Sequence, residues 1–114
     1  MADQTQAQPY SRVDQLYVVI ARANDQAPKL TITADELLRQ HRAYLKQEHD
    51  KETLVGSGPG QDHDDKRYVG AVMLLRCASL AEATALAHRE PYIREKQRIA
   101  EIIPWRRVWF EKES

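Results

Sequence analysis

One histidine and two aspartates are the residues of this sequence with the clearest potential for chemistry. His41 falls on the apolar face of a predicted helix, whereas the other three histidines lie among polar residues. Asp62 and Asp64 follow a Gly-Pro-Gly segment further along the chain. A carboxylate that accepts a hydrogen bond from one imidazole nitrogen fixes the tautomer and raises the basicity of the other nitrogen. These side chains therefore predict a His–Asp general base, with the choice between the two aspartates open.

Each candidate also has a purely structural interpretation. A single histidine on an apolar helix face is often a buried residue bonded to a carbonyl group, and aspartates after a turn are typical of a solvated loop. No metal site is expected, because the histidines and aspartates of residues 49–65 lack a known ligand spacing. Cys77 is expected to be a small buried hydrophobic residue rather than a nucleophile.

The composition limits the classes of protein to which the chain can belong. Its 114 residues suffice for one domain, and its 17 basic and 17 acidic residues give no net charge. We therefore expect neither a nucleic-acid surface nor a membrane span, which needs roughly 18 consecutive apolar residues. The single cysteine excludes an internal disulfide, and the N-terminus lacks the apolar core of a secretory signal. These features predict a soluble cytoplasmic protein.

The hydrophobic pattern predicts four strands and two helices. We expect residues 1–14 to form a flexible tail and residues 15–114 to form one domain. The first half of the domain has a strand at 16–21, a helix starting at a capping box of Thr33 and Glu36, and a short strand at 54–55 that ends in a sharp turn at Gly58-Pro59-Gly60. The second half has a strand at 70–77 and a helix starting at a capping box of Ser79 and Glu82. Extended segments at 99–103 and 108–110 follow, with a kink at Pro104-Trp105.

This order of elements is that of the ferredoxin-like α+β fold, βαββαβ. It gives a four-stranded antiparallel sheet with two helices on one face. Strands one and three are nevertheless apolar on both faces, and a wide exposed apolar sheet is unusual in a monomer. A second copy packed sheet to sheet is the simplest cover, so we expect a homodimer through the open sheet face.

The order of several short motifs resembles that of the YCII-related family of small dimeric α/β-barrel proteins. The motifs are His41-Arg42-Ala43-Tyr44-Leu45, Gly58-Pro59 with aspartates after it, Gly70-Ala71-Val72, Ser79-Leu80-Ala81-Glu82-Ala83, Glu90-Pro91-Tyr92 and Ile103-Pro104-Trp105. The resemblance implies a dimeric barrel and a pocket with a His–Asp pair, here His41 and an aspartate after Pro59. It also shows a departure, because the family usually has Asp where this chain has Glu90.

The residues and the resemblance together predict a lyase or isomerase that uses acid/base chemistry without a cofactor. Its substrate would be a small cyclic or carbonyl compound, and members of the family include a dehydrochlorinase. The catalytic residues would be His41 with Asp62 or Asp64, and the expected substrate-binding residues are Tyr44, Ser57, Gly58, Pro59, Glu90 and Tyr92. The alternative is a non-catalytic dimer that binds a small ligand, or an accessory module of a larger enzyme.

Overall fold

The computed structural model describes residues 12–63 and 68–110, which form one sheet and three helices. The elements are β1 (Arg12–Ala23), α1 (Ala34–Asp50), β2 (Leu54–Gln61), β3 (Tyr68–Leu75), α2 (Leu80–His88), α3 (Pro91–Arg94) and β4 (Arg98–Trp109). The sheet is antiparallel throughout, with the strand order β2-β3-β1-β4. The ferredoxin-like prediction is confirmed. The short helix α3 lies where the sequence also allows a further helical turn, at residues 92–98.

Both long helices begin where their capping residues predict. The Thr33 hydroxyl accepts a hydrogen bond from the Glu36 backbone N–H at 3.0 Å, and the Ser79 hydroxyl accepts one from Glu82 at 3.1 Å. These bonds satisfy N–H groups that have no partner within the first helical turn. Local sequence therefore fixes where α1 and α2 start.

The two outer strands are longer than the sequence predicts. β2 continues through Gly58-Pro59-Gly60 to Gln61 instead of ending in a turn, and β4 runs through Pro104 without a break. Both prolines lie on edge strands of the sheet. A proline at an edge can turn its missing N–H away from the neighbouring strand, so no ladder bond is lost. The predicted turn and kink were wrong for this reason.

The core lies between one face of the sheet and the helices. Alternate residues of the central strands, among them Tyr17, Val19 and Met73, are buried there against α1 and α2 residues such as Tyr44 and Leu86. This is the period of two expected of a strand with one face on a core.

The opposite face of the sheet, called the open face below, is apolar and partly exposed. The pairing register places Val18, Ile103 and Val72 on it, and the last two side chains are 40% and 39% exposed. Trp105, which lies opposite Leu16, is also 40% exposed. The two-sided apolar character predicted for strands one and three is therefore present.

A two-stranded ribbon extends the sheet at one end. Residues 12–16 of β1 pair with residues 105–109 of β4, whereas β3 pairs with β1 only from Tyr17 onward. Asp14 lies in this ribbon and receives a hydrogen bond from Arg107 at 2.9 Å. That bond lowers the pKa of Asp14 below its usual value. Arg107 and Arg12 in turn stack on the ring of Trp109.

The predicted tail lies almost entirely outside the described residues. β1 begins at Arg12, so residues 12–14 belong to the strand rather than to the tail. No helix of the described residues is long and apolar enough to cross a membrane.

Substitution of Gly70 should lower the free energy of unfolding more than substitution of any other glycine in the sheet. Gly70 has a φ of +132°, and a Cβ atom there would overlap the Ala21 carbonyl oxygen. We expect Gly70→Ala to lower the free energy of unfolding by about 2–4 kcal/mol, measured by urea denaturation.

Gly58→Ala is the matched control, because a Cβ at Gly58 meets nothing within 4 Å. Its effect should stay within about 0.5 kcal/mol. Equal effects of the two substitutions would contradict the close approach of β3 to β1.

Candidate active site

A partly buried hydrogen bond joins α1 to the N-terminus of α3. His41 Nδ1 of α1 lies 2.6 Å from Glu90 Oε2. The Glu90 side chain is only 2% exposed and that of His41 is 19% exposed. A buried carboxylate needs hydrogen-bond partners, because its transfer from water is costly. The contact between His41 and Glu90 therefore differs from a surface ion pair, because its carboxylate is removed from solvent.

Local sequence holds Glu90 in place. Glu90 is the N-cap of α3, and its Oε1 atom accepts hydrogen bonds from the backbone N–H groups of Tyr92 and Ile93 at 3.1 and 3.3 Å. Pro91 occupies the first turn, where its missing N–H costs nothing and its φ suits a helix. One carboxylate oxygen thus caps the helix and the other is left for His41.

Aromatic packing restrains the imidazole. The ring of Tyr92 meets that of His41 edge to face, with centroids 5.1 Å apart and an interplanar angle of 71°. The guanidinium of Arg98, at the start of β4, lies 4.3 Å from the centroid of the Tyr92 ring. A row of four side chains, Glu90, His41, Tyr92 and Arg98, therefore runs from α3 to the sheet.

An ionised Glu90 carboxylate would fix which imidazole nitrogen carries a proton. A carboxylate can only accept, so in its contact with Glu90 Oε2 the Nδ1 atom is then the donor. In the neutral ring the Nε2 atom is then the basic nitrogen. The pair has the chemistry of a general base with an orienting carboxylate.

Comparison with known proteins assigns the family. The sequence profile of the YCII-related domain matches residues 15–106, which is most of the chain. The chain belongs to the YCII-related family. A search of curated proteins found no match to this YCII-related chain.

A solved structure has the same fold as this YCII-related protein. It is 5-chloro-2-hydroxyhydroquinone dehydrochlorinase from Burkholderia phenoliruptrix AC1100, in complex with 2,5-dihydroxybenzoquinone. The alignment has a TM-score of 0.57 and 20% sequence identity, and it covers 79% of this chain and 92% of that one. At this identity the likeness concerns the fold.

The carboxylate at His41 differs from the predicted one. Sequence reasoning paired His41 with Asp62 or Asp64, but the hydrogen-bonded carboxylate is Glu90. Asp62 follows the last residue of β2, and Asp64 lies outside the described residues. The sequence signal for Glu90 was limited to Pro91, which suits the first position of a helix, because glutamate is not among the preferred capping residues.

The other predicted binding residues lie in three different places. Tyr92 is beside His41, whereas Ser57, Gly58 and Pro59 lie along the edge strand β2. Tyr44 is 8% exposed, and its hydroxyl donates a hydrogen bond to the Leu86 carbonyl at 2.8 Å. Burial raises the pKa of that phenol. Tyr44 thus serves the core of the YCII-related domain.

Arg98 is the member of the row that sequence reasoning missed. Its contact with Tyr92 crosses the turn between α3 and β4, where Lys96 has a positive φ of 61°. A lysine in this backbone region is uncommon. No sequence pattern predicts such a turn, so the contact between Arg98 and Tyr92 could not be predicted from the sequence.

Two cavities lie beside the helices of the YCII-related domain. One, of about 450 Å³, is bounded by α1 and the start of α3, and the other, of about 410 Å³, by α2, α3 and the start of β4. His41 lines neither of them. Among residues 12–63 and 68–110, no group of three or more metal-ligating side chains is close enough to hold a metal ion.

Cys77 should react slowly with electrophiles. The thiol is partly buried, and this burial, together with the charges of Glu82 and Glu48, raises its pKa. A raised pKa leaves less thiolate at neutral pH, and thiolate is the reacting form. We expect iodoacetamide to modify the native protein on the order of tenfold more slowly than the urea-unfolded chain at the same pH.

The rise of the alkylation rate with pH should be displaced to higher pH in the native protein than in the unfolded chain, because the pKa of the Cys77 thiol is raised. Equal rates for native and unfolded protein at neutral pH would show an activated cysteine and contradict the structural interpretation.

Proposed function

We propose that this protein is a cofactor-independent enzyme of lyase or isomerase type, in which His41 is the general base and Glu90 orients it. The observation that carries the proposal is the 2.6 Å contact between His41 Nδ1 and a Glu90 carboxylate that is 2% exposed. A histidine that only filled space would not need a buried carboxylate. A histidine base needs one, because the carboxylate sets its tautomer and stabilises the imidazolium formed during the reaction.

The proposed reaction begins with proton abstraction by His41 Nε2. The proton comes from a carbon or hydroxyl group next to a carbonyl, and the released electron pair forms a double bond. In an elimination the leaving group departs with its own electron pair. In an isomerisation the imidazolium returns the proton to a different atom of the substrate. Both cases require one acid/base group, and neither requires an oxidant or a reductant.

The family and its solved relative support this class of reaction. The relative is named as a dehydrochlorinase, and loss of HCl is an elimination of the kind described above. Its ligand is a hydroxylated quinone. We therefore propose small hydroxylated cyclic carbonyl compounds, including halogenated hydroquinones, as the substrate class. The free thiol of Cys77 suits a reducing compartment such as the cytoplasm.

A homodimer is part of the proposal. On the open face, three apolar residues are each 39–40% exposed in the single chain, namely Val72, Ile103 and Trp105. Contiguous apolar surface of this kind marks interfaces. A second copy packed against the same face would bury it under two-fold symmetry and close the barrel that the family resemblance implies.

The rival function is a binding module without catalysis. One observation favours it, namely that neither cavity is lined by His41. In that case His41 and Glu90 only fasten α3 to α1. One measurement distinguishes the two functions. An enzyme would convert its ligand to a product, whereas a binding module would leave the bound ligand chemically unchanged.

Substitution of His41 should abolish turnover without unfolding the protein. A screen of halogenated hydroquinones for halide release, and of small lactones for isomerisation, would supply the assay. We expect His41→Ala to lower kcat/KM by a factor of about 10² or more, the usual size of a general-base contribution. Glu90→Gln keeps the acceptor for the α3 cap but removes the charge at Nδ1, so it should also lower kcat.

His49→Ala is the matched control, because His49 lies on the same helix and its side chain is 77% exposed. It should leave the rate unchanged. Full activity in His41→Ala, with an active wild-type protein, would exclude the proposed base. Unchanged ligand in every assay, together with measurable binding, would support the binding module.

The oligomeric state tests the second part of the proposal. Light scattering should give twice the chain mass for the wild-type protein, and Ile103→Glu should give the mass of a single chain. The charge would lie on the open face, in the middle of the outer strand β4, where burying it without a partner is costly.

Leu80→Glu is the control for surface charge, because Leu80 is 47% exposed at the start of α2, in the helix layer. This variant should remain a dimer. A monomeric wild-type protein at micromolar concentration would refute the interface.

A further inference from the structure

Arg98 carries a positive charge for which the described residues provide no counter-charge. Its side chain is partly buried at the first residue of β4, and its guanidinium rests on the Tyr92 ring at 4.3 Å. Among residues 12–63 and 68–110, no carboxylate forms an ion pair with it. A guanidinium has five N–H donors and binds carboxylates in a bidentate manner. A partly buried guanidinium without an acceptor is therefore suited to an anionic ligand.

Arg98 lines the smaller of the two cavities, called the Arg98 cavity below. Its volume is about 410 Å³, which suits a small organic molecule. Lys96 and Arg94 also line it, and no acidic residue of the described chain does. Ile93, Ile99 and Ala100 supply an apolar wall. A cavity with cations on one side and apolar side chains on the other matches an apolar molecule that bears a carboxylate.

Two of the three cations are available to a ligand. Arg94 is already engaged, since its Nε donates to Glu95 at 2.8 Å and its Nη2 donates to Gln40 at 2.6 Å. Lys96 has no side-chain ion pair with the described residues. It is held by its backbone, which takes a φ of 61° and whose carbonyl accepts a hydrogen bond from Asn24 Nδ2 at 2.9 Å. The turn that fixes Lys96 therefore brings a second free cation to the cavity.

The larger cavity does not share this property. Three of its cations have partners: Arg39 bonds Glu36 at 2.6 Å, Arg94 bonds Glu95, and Lys51 lies 3.7 Å from Glu48. Its remaining cation, Arg89, has no ion pair with the described residues, but Glu48 places a carboxylate in the lining of this cavity. The Arg98 cavity combines two unpaired cations with a lining that contains no acidic residue of the described chain.

We propose that the Arg98 cavity binds a small organic carboxylate, with Arg98 and Lys96 on the carboxylate and Ile93, Ile99 and Ala100 on the apolar part. This site goes beyond the proposed acid/base function, because it does not use His41. Tyr92 lies between the two sites, since its ring contacts both Arg98 and His41.

Benzoate is the probe, and benzamide is its neutral counterpart of the same shape. Titration followed by ¹H–¹⁵N spectra and calorimetry should show benzoate binding with shifts centred on Ile93, Lys96 and Arg98. Benzamide should bind at least about tenfold more weakly, because hydrogen bonds to charged groups are the stronger ones. Arg98→Gln should raise the Kd of benzoate by at least about tenfold. Lys96→Asn should also raise it, and asparagine tolerates the positive φ at that position.

Arg39→Gln is the matched control, since it removes the same charge from the larger cavity, and the Kd of benzoate should not change. His41→Ala should also retain benzoate binding, which separates this site from the proposed catalysis. The proposal is overturned if benzamide binds as well as benzoate, or if Arg39→Gln weakens binding as much as Arg98→Gln. It is also overturned if the wild-type protein binds no benzoate. If, in addition, Arg98→Gln changes the oligomeric mass, the cavity is an interface between chains rather than a ligand site.

Discussion

The buried carboxylate of Glu90 is the constraint on which the candidate site depends. A carboxylate removed from water must have its oxygens satisfied, and here the backbone of α3 satisfies one and His41 the other. Loss of either partner would leave a buried polar group unpaired, which costs more than the bond itself contributes. The same group thus starts α3, fastens it to α1 and orients the imidazole. The position of Tyr92, and through it that of Arg98, follows from this anchor.

The sheet provides a rigid support for this anchor and an apolar surface on its other side. The helix-facing residues form the core, and the register of β1 with its two neighbours places a second set of apolar residues on the open face. Because side chains alternate along a strand, a strand that is apolar at successive positions must present apolar groups on both faces. The same pattern that builds the core therefore also builds the surface proposed for the dimer.

Charge is distributed unevenly around the helices and the edge of the sheet. Most cations near α1 are paired with acidic residues one turn away, such as Arg39 with Glu36, where a pair of hydrogen bonds holds the pKa of Glu36 at about 2. Such exposed pairs contribute little to stability. At the start of β4 no carboxylate of the described residues pairs with Arg98, whose guanidinium rests on an aromatic ring instead. This difference separates a solvated helix surface from a surface that can recognise an anion.

The sequence by itself determined the element order, the fold class and the two long-helix starts, and it identified His41 as a candidate site residue. These features follow from local signals: β-branched apolar runs, the caps at Thr33 and Ser79, and a histidine on an apolar helical face. The resemblance to the YCII-related family rested on the same short motifs.

Only the tertiary structure decided which carboxylate meets His41 and how far the edge strands run. The partner of His41 depends on how α3 docks against α1, and residues distant in the chain give no periodic signal of such a contact. The prolines at 59 and 104 read as breaks in the sequence, yet the sheet accepts them because both strands lie at its edges. Strand order is a property of the whole sheet, so the pattern of one segment could not predict it.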